Sequence, residues 1–374
     1  MSQSNKKNAK RSKKKQSVFE DQQPTLVKVV ELDSEQNYQL TDIVEEMTST
    51  ANSILDPHHA KHDWLGKRAS DLAPLVFGLR HRRELTSHLR NGGLIVFKNL
   101  PKLEHQEDSC EQHITPHQSL AAMVTSFTST PFGYLQEDEG RLFQRLRPKP
   151  GLEDSNSGCN RKRLMFHADN LFLKSFAQPE TITLVCRHNQ AMACTELLTG
   201  RKIRELVLAN FGQNVVRVLE SPRFRMNVSD SFSNSLKKVW TRDRAIFMQD
   251  GRIVGKAYDM KPAVASDEMA AIALNAFQQT IENAQPCVRY TLQPSEALTF
   301  NQQVNLHGRS AIGQDGRREL VRGYGRLNFQ GLAETNAILP DSKIFDAIPL
   351  IDRQQDLRIS AANDVLNRNL PPKG

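Results

Sequence analysis

The chain has 374 residues, 38% of them hydrophobic and 25% charged, with 19 glycines and 17 prolines, a composition that excludes collagen-like, disulfide-dense and wholly disordered classes. That length holds one large or two average domains, each able to bury a core, and no window reaches the ~18 consecutive apolar residues of a membrane span. The formal charge of +8 does not make the body a polyanion binder: Lys6, Lys7, Lys10, Arg11, Lys13, Lys14 and Lys15 put seven of those charges within residues 1–15, leaving +1 for the other 359 residues.

Residues 1–24 therefore read as a disordered basic leader, with residues 1–15 as a weak polyanion-binding stretch if the leader does more than stay solvated. Charge stands where an export signal needs an apolar run, so the expected location is the cytoplasm. VKVVEL (27–32) reads as a short strand and TDIVEEMTSTANSIL (41–55) as a helix by the spacing of its apolar residues. His58, His59 and His62 have helical spacing but follow Asp56-Pro57 in a polar stretch, and read as surface. ELTSHLRNGG (84–93) predicts a helix ending at glycine, GLIVFKNLP (93–101) a buried strand stopped by proline, and HQSLAAMVTSF (117–127) a short amphipathic helix. Residues 148–163, PKPGLEDSNSGCNRKR, read as a loop.

Beyond the loop the pattern turns strand-like, at RLMFHAD (163–169) and TITLVCRH (181–188). Two helices follow, RKIRELVLANFG (201–212) and SDEMAAIALNAFQQTIENA (266–284), the second with a Ser-Asp start and an acid in its first turn. VRYTLQ (288–293), ALTFNQQVNLHG (297–308) and RELVRGYGRLNF (318–329) are three further strand candidates, and Gly313 with Asp315-Gly316 predicts a hairpin between the last two. Many short strands with inserted helices and no β-α-β alternation predict an antiparallel sandwich or barrel with helical decoration. Gly-x-Gly-x-x-Gly and P-loop patterns are absent, which removes nucleotide folds. Residues 25–330 form the expected domain, and 331–374 an unplaced C-terminal extension.

The five cysteines, Cys110, Cys159, Cys186, Cys194 and Cys287, are odd in number and contain no C-x-x-C pair, so they read as reduced thiols. Cys186, His188 and Cys194 could be drawn as a metal cluster but read better as buried core. Chemistry concentrates elsewhere. His167 and Asp169 are two apart at the end of a strand candidate and so share a face. His307, 140 residues later, is the best third ligand, and two His with one carboxylate leave positions open on a metal, as in non-haem Fe(II) oxygenases. Arg318, Arg322 and Arg326 share strand parity, and burying such guanidinium groups calls for an anion opposite them; a dicarboxylate cosubstrate would fit.

GYLQEDEGRLFQRLRP (133–148), LMFHADNLFL (164–173), TLVCRHNQAMACTELL (183–198) and LTFNQQVNLHGRSAIGQDGRRELVR (298–322) follow in order, carrying G-x-L-x-Q, F-H-x-[DE], a later Thr, L-H-G-R and D-G-x-R-x-L-x-R. This series, from about residue 90 to 330, resembles the clavaminate synthase-like branch of the taurine dioxygenase superfamily, nearest to the asparagine and arginine β-hydroxylases. The resemblance implies a double-stranded β-helix (jelly-roll) core with flanking helices, holding Fe(II) through His167, Asp169 and His307. It also implies 2-oxoglutarate and O2 as cosubstrates, with Arg322 and Thr195 meeting the far carboxylate and Arg318 as the alternative. An arginine suits that role because its planar fork keeps its charge when buried.

The reaction implied is hydroxylation with release of succinate and CO2, since Asp169 keeps the carboxylate that related halogenases lack. A small-molecule, amino-acid-like substrate is implied by Gln144, by Ser157 in the Ser155–Ser157 loop, and by Asp259. Each has a plainer reading, as strand surface, solvated loop and turn residue. A desaturase or cyclase of the same cofactor class, and a non-catalytic sensor of oxygen or 2-oxoglutarate that binds polyanions through its basic leader, are the alternatives. The segment SAIGQ after His307 is shorter than is usual in that family and lacks its aromatic and proline.

Overall fold

Side-chain alternation along the strands sets the layers of the molecule. The structure is a computed structural model describing residues 26–54, 58–103, 113–152, 158–232, 238–314, 316–333 and 342–353. The basic leader, Cys110, the Ser155–Ser157 loop with its candidate Ser157, and Asp315 lie outside the described residues. The first part of the chain forms β1 (Val27–Glu31), α1 (Ser34–Ser53), α2 (His58–Phe77), α3 (Leu79–Arg90), β2 (Leu94–Lys98), α4 (Pro116–Thr128), β3 (Thr130–Tyr134) and β4 (Phe143–Leu146). The middle forms β5 (Leu164–His167), β6 (Thr181–Asn189), β7 (Thr195–Thr199), α5 (Gly200–Phe211), α6 (Gln213–Leu219), β8 (Phe224–Met226), β9 (Met260–Pro262) and α7 (Glu268–Asn283). The last part forms β10 (Val288–Tyr290), β11 (Ala297–Asn301), β12 (Asn305–Arg309), β13 (Arg318–Arg326), α8 (Gln330–Ala333) and β14 (Ile344–Phe345).

One sheet runs β1-β2-β11-β6-β13-β3-β14 with β4 also on β13, and a second runs β10-β7-β12-β5. Pairing is antiparallel except at β1–β2 and β3–β14. In β2, Ile95 and Phe97 pack among α1–α4 with Leu120 and Phe127. Leu94 and Val96 face the other way, into a cluster that joins Leu184, Leu298 and Leu320 of the same sheet to Leu197 of the second. In that second sheet Phe166, Leu198 and Leu306 pack outward against Ile203 of α5 and Phe277 of α7. Helices thus flank two facing sheets. The sequence neighbours of Phe166 and Leu306, namely His167 and His307, are turned into the space between them.

Several expectations need correction. ALTFNQQVNLHG is not one strand: β11 pairs with β2 and β6, whereas β12 pairs with β5 and β7, and the chain changes sheets at residues 302–304. The predicted hairpin after His307 does not form for the same reason. β13 pairs with β3, β4 and β6, so the loop between β12 and β13 crosses from one sheet to the other. The helix at 117–127 is not amphipathic: α4 is buried all round, enclosed by α1, α2 and β13. His62 is not a surface residue; it lies on α2 at 1% exposure, its ring beside Phe143. Cys186 is core, as expected, but Cys194 is half-buried, its thiol 2.9 Å from the Thr291 hydroxyl.

Two helices begin at reciprocal caps. Asp33 caps α1 by accepting from the Gln36 amide at 2.8 Å while Gln36 accepts from the Asp33 amide, and Thr115 and Gln118 repeat the box before α4. The extension after residue 330 adds β14 to β3, and its Asp352 pairs with Arg244. Among the described residues no helix is long and apolar enough to cross a membrane.

Candidate active site

β5 and β12 bring two histidines side by side. His167, the last residue of β5, is the cross-strand partner of His307, and the ring centroids are 4.3 Å apart. Asp169, two residues past His167, turns Oδ1 toward both rings, 3.3 Å from His167 Nε2 and 3.8 Å from His307 Nε2. Among the described residues this is the one trio of His, Cys, Asp or Glu whose ligand atoms gather, all within 4.8 Å of one another.

The protonation pattern suits a metal. His167 Nδ1 lies 2.8 Å from the Met165 carbonyl; donating there leaves the Nε2 lone pair facing the trio. Burial, reinforced by His167 and opposed by Asp169, pushes His307 down to about 3, so its ring is neutral at pH 7. Burial alone would raise the Asp169 carboxyl, but Arg322 and the two imidazoles outweigh it and hold the group well below the usual carboxylate range. Its second oxygen, Oδ2, accepts from Arg322 Nη1 and from the Tyr324 hydroxyl, each at 2.8 Å. Oδ1 is thereby left as the single oxygen for an ion, and an N, N, O set with one open side fits a divalent transition metal.

Two hydrogen-bond systems fix this carboxylate. Arg322 stacks 4.3 Å from the Tyr324 ring centroid and donates through Nη2 to Glu137 Oε1 at 2.6 Å and to Gln144 Oε1. On the other side Gln302, 1% exposed, accepts from the Asp169 amide at 2.7 Å and donates to the carbonyls of Asp169 and Pro179 at 3.2 and 3.0 Å. Gln302 sits in the turn between β11 and β12, five residues before His307, so one amide ties the Asp169 backbone to the segment that carries the distal histidine.

The site opens into two recesses. The inner one is lined by His167, Asp169 and His307 together with Thr195, Arg309 and Arg318. Arg318 is 6% exposed, and its Nε has no hydrogen-bond partner among the described residues. Burial and nearby Arg309 push it down to about 9. Arg309 holds the Lys162 carbonyl at 2.7 Å through Nη2, while its Nε and Nη1 are unpartnered among the described residues. Two desolvated guanidinium groups beside a hydroxyl make an anion site. The outer recess, 440 Å³, shares His167, Asp169 and Arg322 with the inner one and adds Gln144, Lys256 and Asp259. Lys256 Nζ is 3.7 Å from Asp259 Oδ2.

Of the residues expected from the sequence, the three ligand candidates, Thr195 and Arg318 thus meet in one recess, Gln144 and Asp259 in the other, and Arg322 lines both. Arg326 does not join them: its guanidinium is tied to the carbonyls of Gln178 and Asn328 at 2.6 and 2.9 Å. Arg309, Glu137, Tyr324 and Gln302 belong to the site without having been singled out. Arg309 was within reach as the last residue of L-H-G-R, and Tyr324 by its shared parity with Arg322.

A two-histidine, one-carboxylate site between facing sheets, with a cationic recess behind it, defines a mononuclear non-haem oxygenase. The model of the taurine catabolism dioxygenase TauD, TfdA family matches residues 58–324, and the chain belongs to that family. It is similar to the L-asparagine oxygenase of Streptomyces coelicolor, with 27% identity over 244 residues, 61% of this chain and 69% of that one. Its fold matches an asparagine oxygenase solved with Fe(II), 2S,3S-3-hydroxyasparagine and succinate (TM-score 0.68, 21% identity, 85% of this chain and 99% of that one). It also matches the non-heme iron oxygenase OrfP solved with Fe and alpha-ketoglutaric acid (TM-score 0.67, 15% identity, 85% and 100%). The chain is a 2-oxoglutarate-dependent dioxygenase, with iron as its metal and O2 as the second cosubstrate.

Proposed function

We propose that this dioxygenase hydroxylates an amino acid or an amino-acid-derived metabolite, on a double-stranded β-helix core formed by its two sheets. The observation that carries the substrate class is the 440 Å³ outer recess. It offers the unpartnered Nε of Arg322 for a carboxylate, the Glu137 and Gln144 oxygens that already accept from Arg322 for an ammonium, and a Lys256–Asp259 pair for a polar side chain. His167, Asp169 and His307 hold the Fe(II), which with 2-oxoglutarate supplies oxidative decarboxylation to succinate and CO2 coupled to oxygen insertion into a C–H bond.

Within that scheme Arg318, with Thr195, takes the far carboxylate of 2-oxoglutarate, the role that counting forward from His307 assigns first to Arg322. Both arginines keep an unpartnered Nε among the described residues, but Arg318 makes no side-chain hydrogen bond or ion pair there, whereas both Nη atoms of Arg322 are engaged by Asp169, Glu137 and Gln144. The short segment after His307 accounts for the difference, because a count that presumes a longer loop overshoots.

The test is succinate release by anaerobically purified, Fe(II)-loaded protein given 2-oxoglutarate and O2, screened against the amino acids and followed by product mass. Succinate above the uncoupled background with a gain of one oxygen in the product is the expected result. Loss of two hydrogens would instead make the enzyme a desaturase, and failure to bind 2-oxoglutarate would reject the scheme. Once a substrate is in hand, Asp259→Asn should lower kcat/KM by about tenfold or more, mainly through KM, as expected for a hydrogen bond to a charged group. An unchanged KM would remove Asp259 from the substrate site.

Gln302 gives a separate expectation. Gln302→Leu should weaken Fe(II) binding by about 10- to 100-fold, the usual effect of losing a group that orients a metal ligand. Equilibrium dialysis and the visible spectrum of the Co(II)-substituted protein measure this. Unaltered affinity and spectrum would show that Asp169 holds its place without Gln302.

A further inference from the structure

A second, strongly cationic cavity of 350 Å³ lies between α3, the α4–β3 junction and the end of β13, and shares no lining residue with either recess of the active site. Arg82, Thr86 and Arg90 stand four apart on α3 and so form one face of that helix, with Arg83 beside them. Arg326, 7% exposed, enters from β13. Among the described residues no carboxylate lines the cavity, and the one apolar lining residue is Leu327.

Three of these four arginines, Arg82, Arg83 and Arg90, find no acid among the described residues. Elsewhere the arginines find acids, as in Arg204–Glu220 at 2.8 Å and Arg225–Asp243 at 2.6 Å. Arg83 and Arg90 have no ion pair or hydrogen bond among the described residues, and Arg82 makes one long bond, 3.4 Å, to the Ser126 carbonyl. Glu84, the acid on α3, pairs with Lys28 on β1. The nearest counter-charge is Glu180, 3.4 Å from Arg326 Nη2. Arg326 is held rigid by the carbonyls of Gln178 and Asn328, which presents a preset cation. Thr128 and Ser129 direct their hydroxyls to the Thr125 carbonyl, leaving Thr86 and Thr130 to donate to a ligand.

We propose that this cavity binds the phosphate group of a small phosphorylated metabolite, away from the catalytic centre. Four guanidinium groups against one carboxylate exceed what a single carboxylate ligand would balance, and planar Arg forks match a tetrahedral oxyanion. The cations converge on one open concavity from two elements, α3 and β13, whereas a nucleic-acid surface spreads them in a stripe. The cavity is also larger than a bare phosphate requires, so it has room for the organic part.

The experiment is isothermal titration of the Fe(II)-loaded full chain, under argon, with glucose 6-phosphate, inorganic phosphate and, at matched ionic strength, NaCl. Saturable one-site binding of the ester is expected, weakened at least tenfold in Arg83→Glu and in Arg90→Glu, with succinate formation in the absence of phosphate unchanged. Both arginines are exposed, so neither variant disturbs the core. If inorganic phosphate binds as tightly as the ester, the occupant is free phosphate and the metabolite part of the proposal is overturned. Heat no different from that of NaCl, or binding that persists in both variants, overturns the site itself; the second result marks phosphate bound at the iron. Tighter, steeply salt-dependent binding of a single-stranded oligonucleotide would reassign the face to nucleic acid.

Discussion

Replacing Arg318 by methionine is expected to raise the Kd for 2-oxoglutarate by about 30- to 3,000-fold, the range for truncating one partner of a buried, hydrogen-bonded charge pair. The size of the effect follows from burial. Arg318 is 6% exposed, and its Nε faces no protein acceptor among the described residues, so the incoming carboxylate supplies a partner that no water can match. Lysine should rescue poorly, because an ammonium lacks the second prong and loses its proton more readily when desolvated. Arg322→Gln is the counterpart: it should raise the KM of the substrate and, because it removes a donor to Asp169, weaken iron binding, while 2-oxoglutarate affinity of the iron-loaded protein falls far less than in Arg318→Met. Titration of both variants, Fe(II)-loaded and anaerobic, reads the outcome. Loss of 2-oxoglutarate binding in Arg322→Gln alone would return the cosubstrate role to Arg322.

His307→Ala should abolish succinate formation and weaken iron binding by more than the ~100-fold ceiling for losing an outer partner of a metal ligand. No neighbour can substitute, since among the described residues no other His, Cys, Asp or Glu joins the trio. The variant should still fold. His307 makes no hydrogen bond through Nδ1 among the described residues, and its removal leaves a polar gap between sheets whose apolar contacts are made by Phe166, Leu306 and Leu197. Iron content after anaerobic reconstitution, read beside the far-ultraviolet circular dichroism, separates lost metal from lost fold. Full iron occupancy in the variant would remove His307 from the ligand set.

The trio is legible in the sequence because H-x-D commits two ligands to one face of a strand whatever the strand packs against. The distal histidine is legible because L-H-G-R sits in a recognisable apolar context. Gln302 is not legible: an amide inside Asn301-Gln302-Gln303 carries no spacing signal, and its role exists only once the turn lies against the Asp169 backbone. The split of ALTFNQQVNLHG into β11 and β12 is hidden for a related reason. Both halves are strand-forming, and only pairing partners more than a hundred residues away decide that they belong to different sheets. His62 and α4 mislead because burial is set by neighbouring helices, which local polarity does not report.

The register between β5 and β12 also governs where the chain can change length. His307 faces His167 across one strand pair, and side chains in a strand alternate faces, so one residue inserted between Gln302 and His307 would turn the imidazole to the helix side and bring Leu306 or its replacement into the site. The same insertion between Ser310 and Gly316 leaves the strand pairings of β12 and β13 untouched, because the two strands lie in different sheets, and costs only loop contacts such as the Ile312 amide on the Arg161 carbonyl at 2.9 Å. Enzymes descended from this chain can therefore remodel the rim after β12 by insertion and deletion, while the five residues before His307 can evolve by substitution alone.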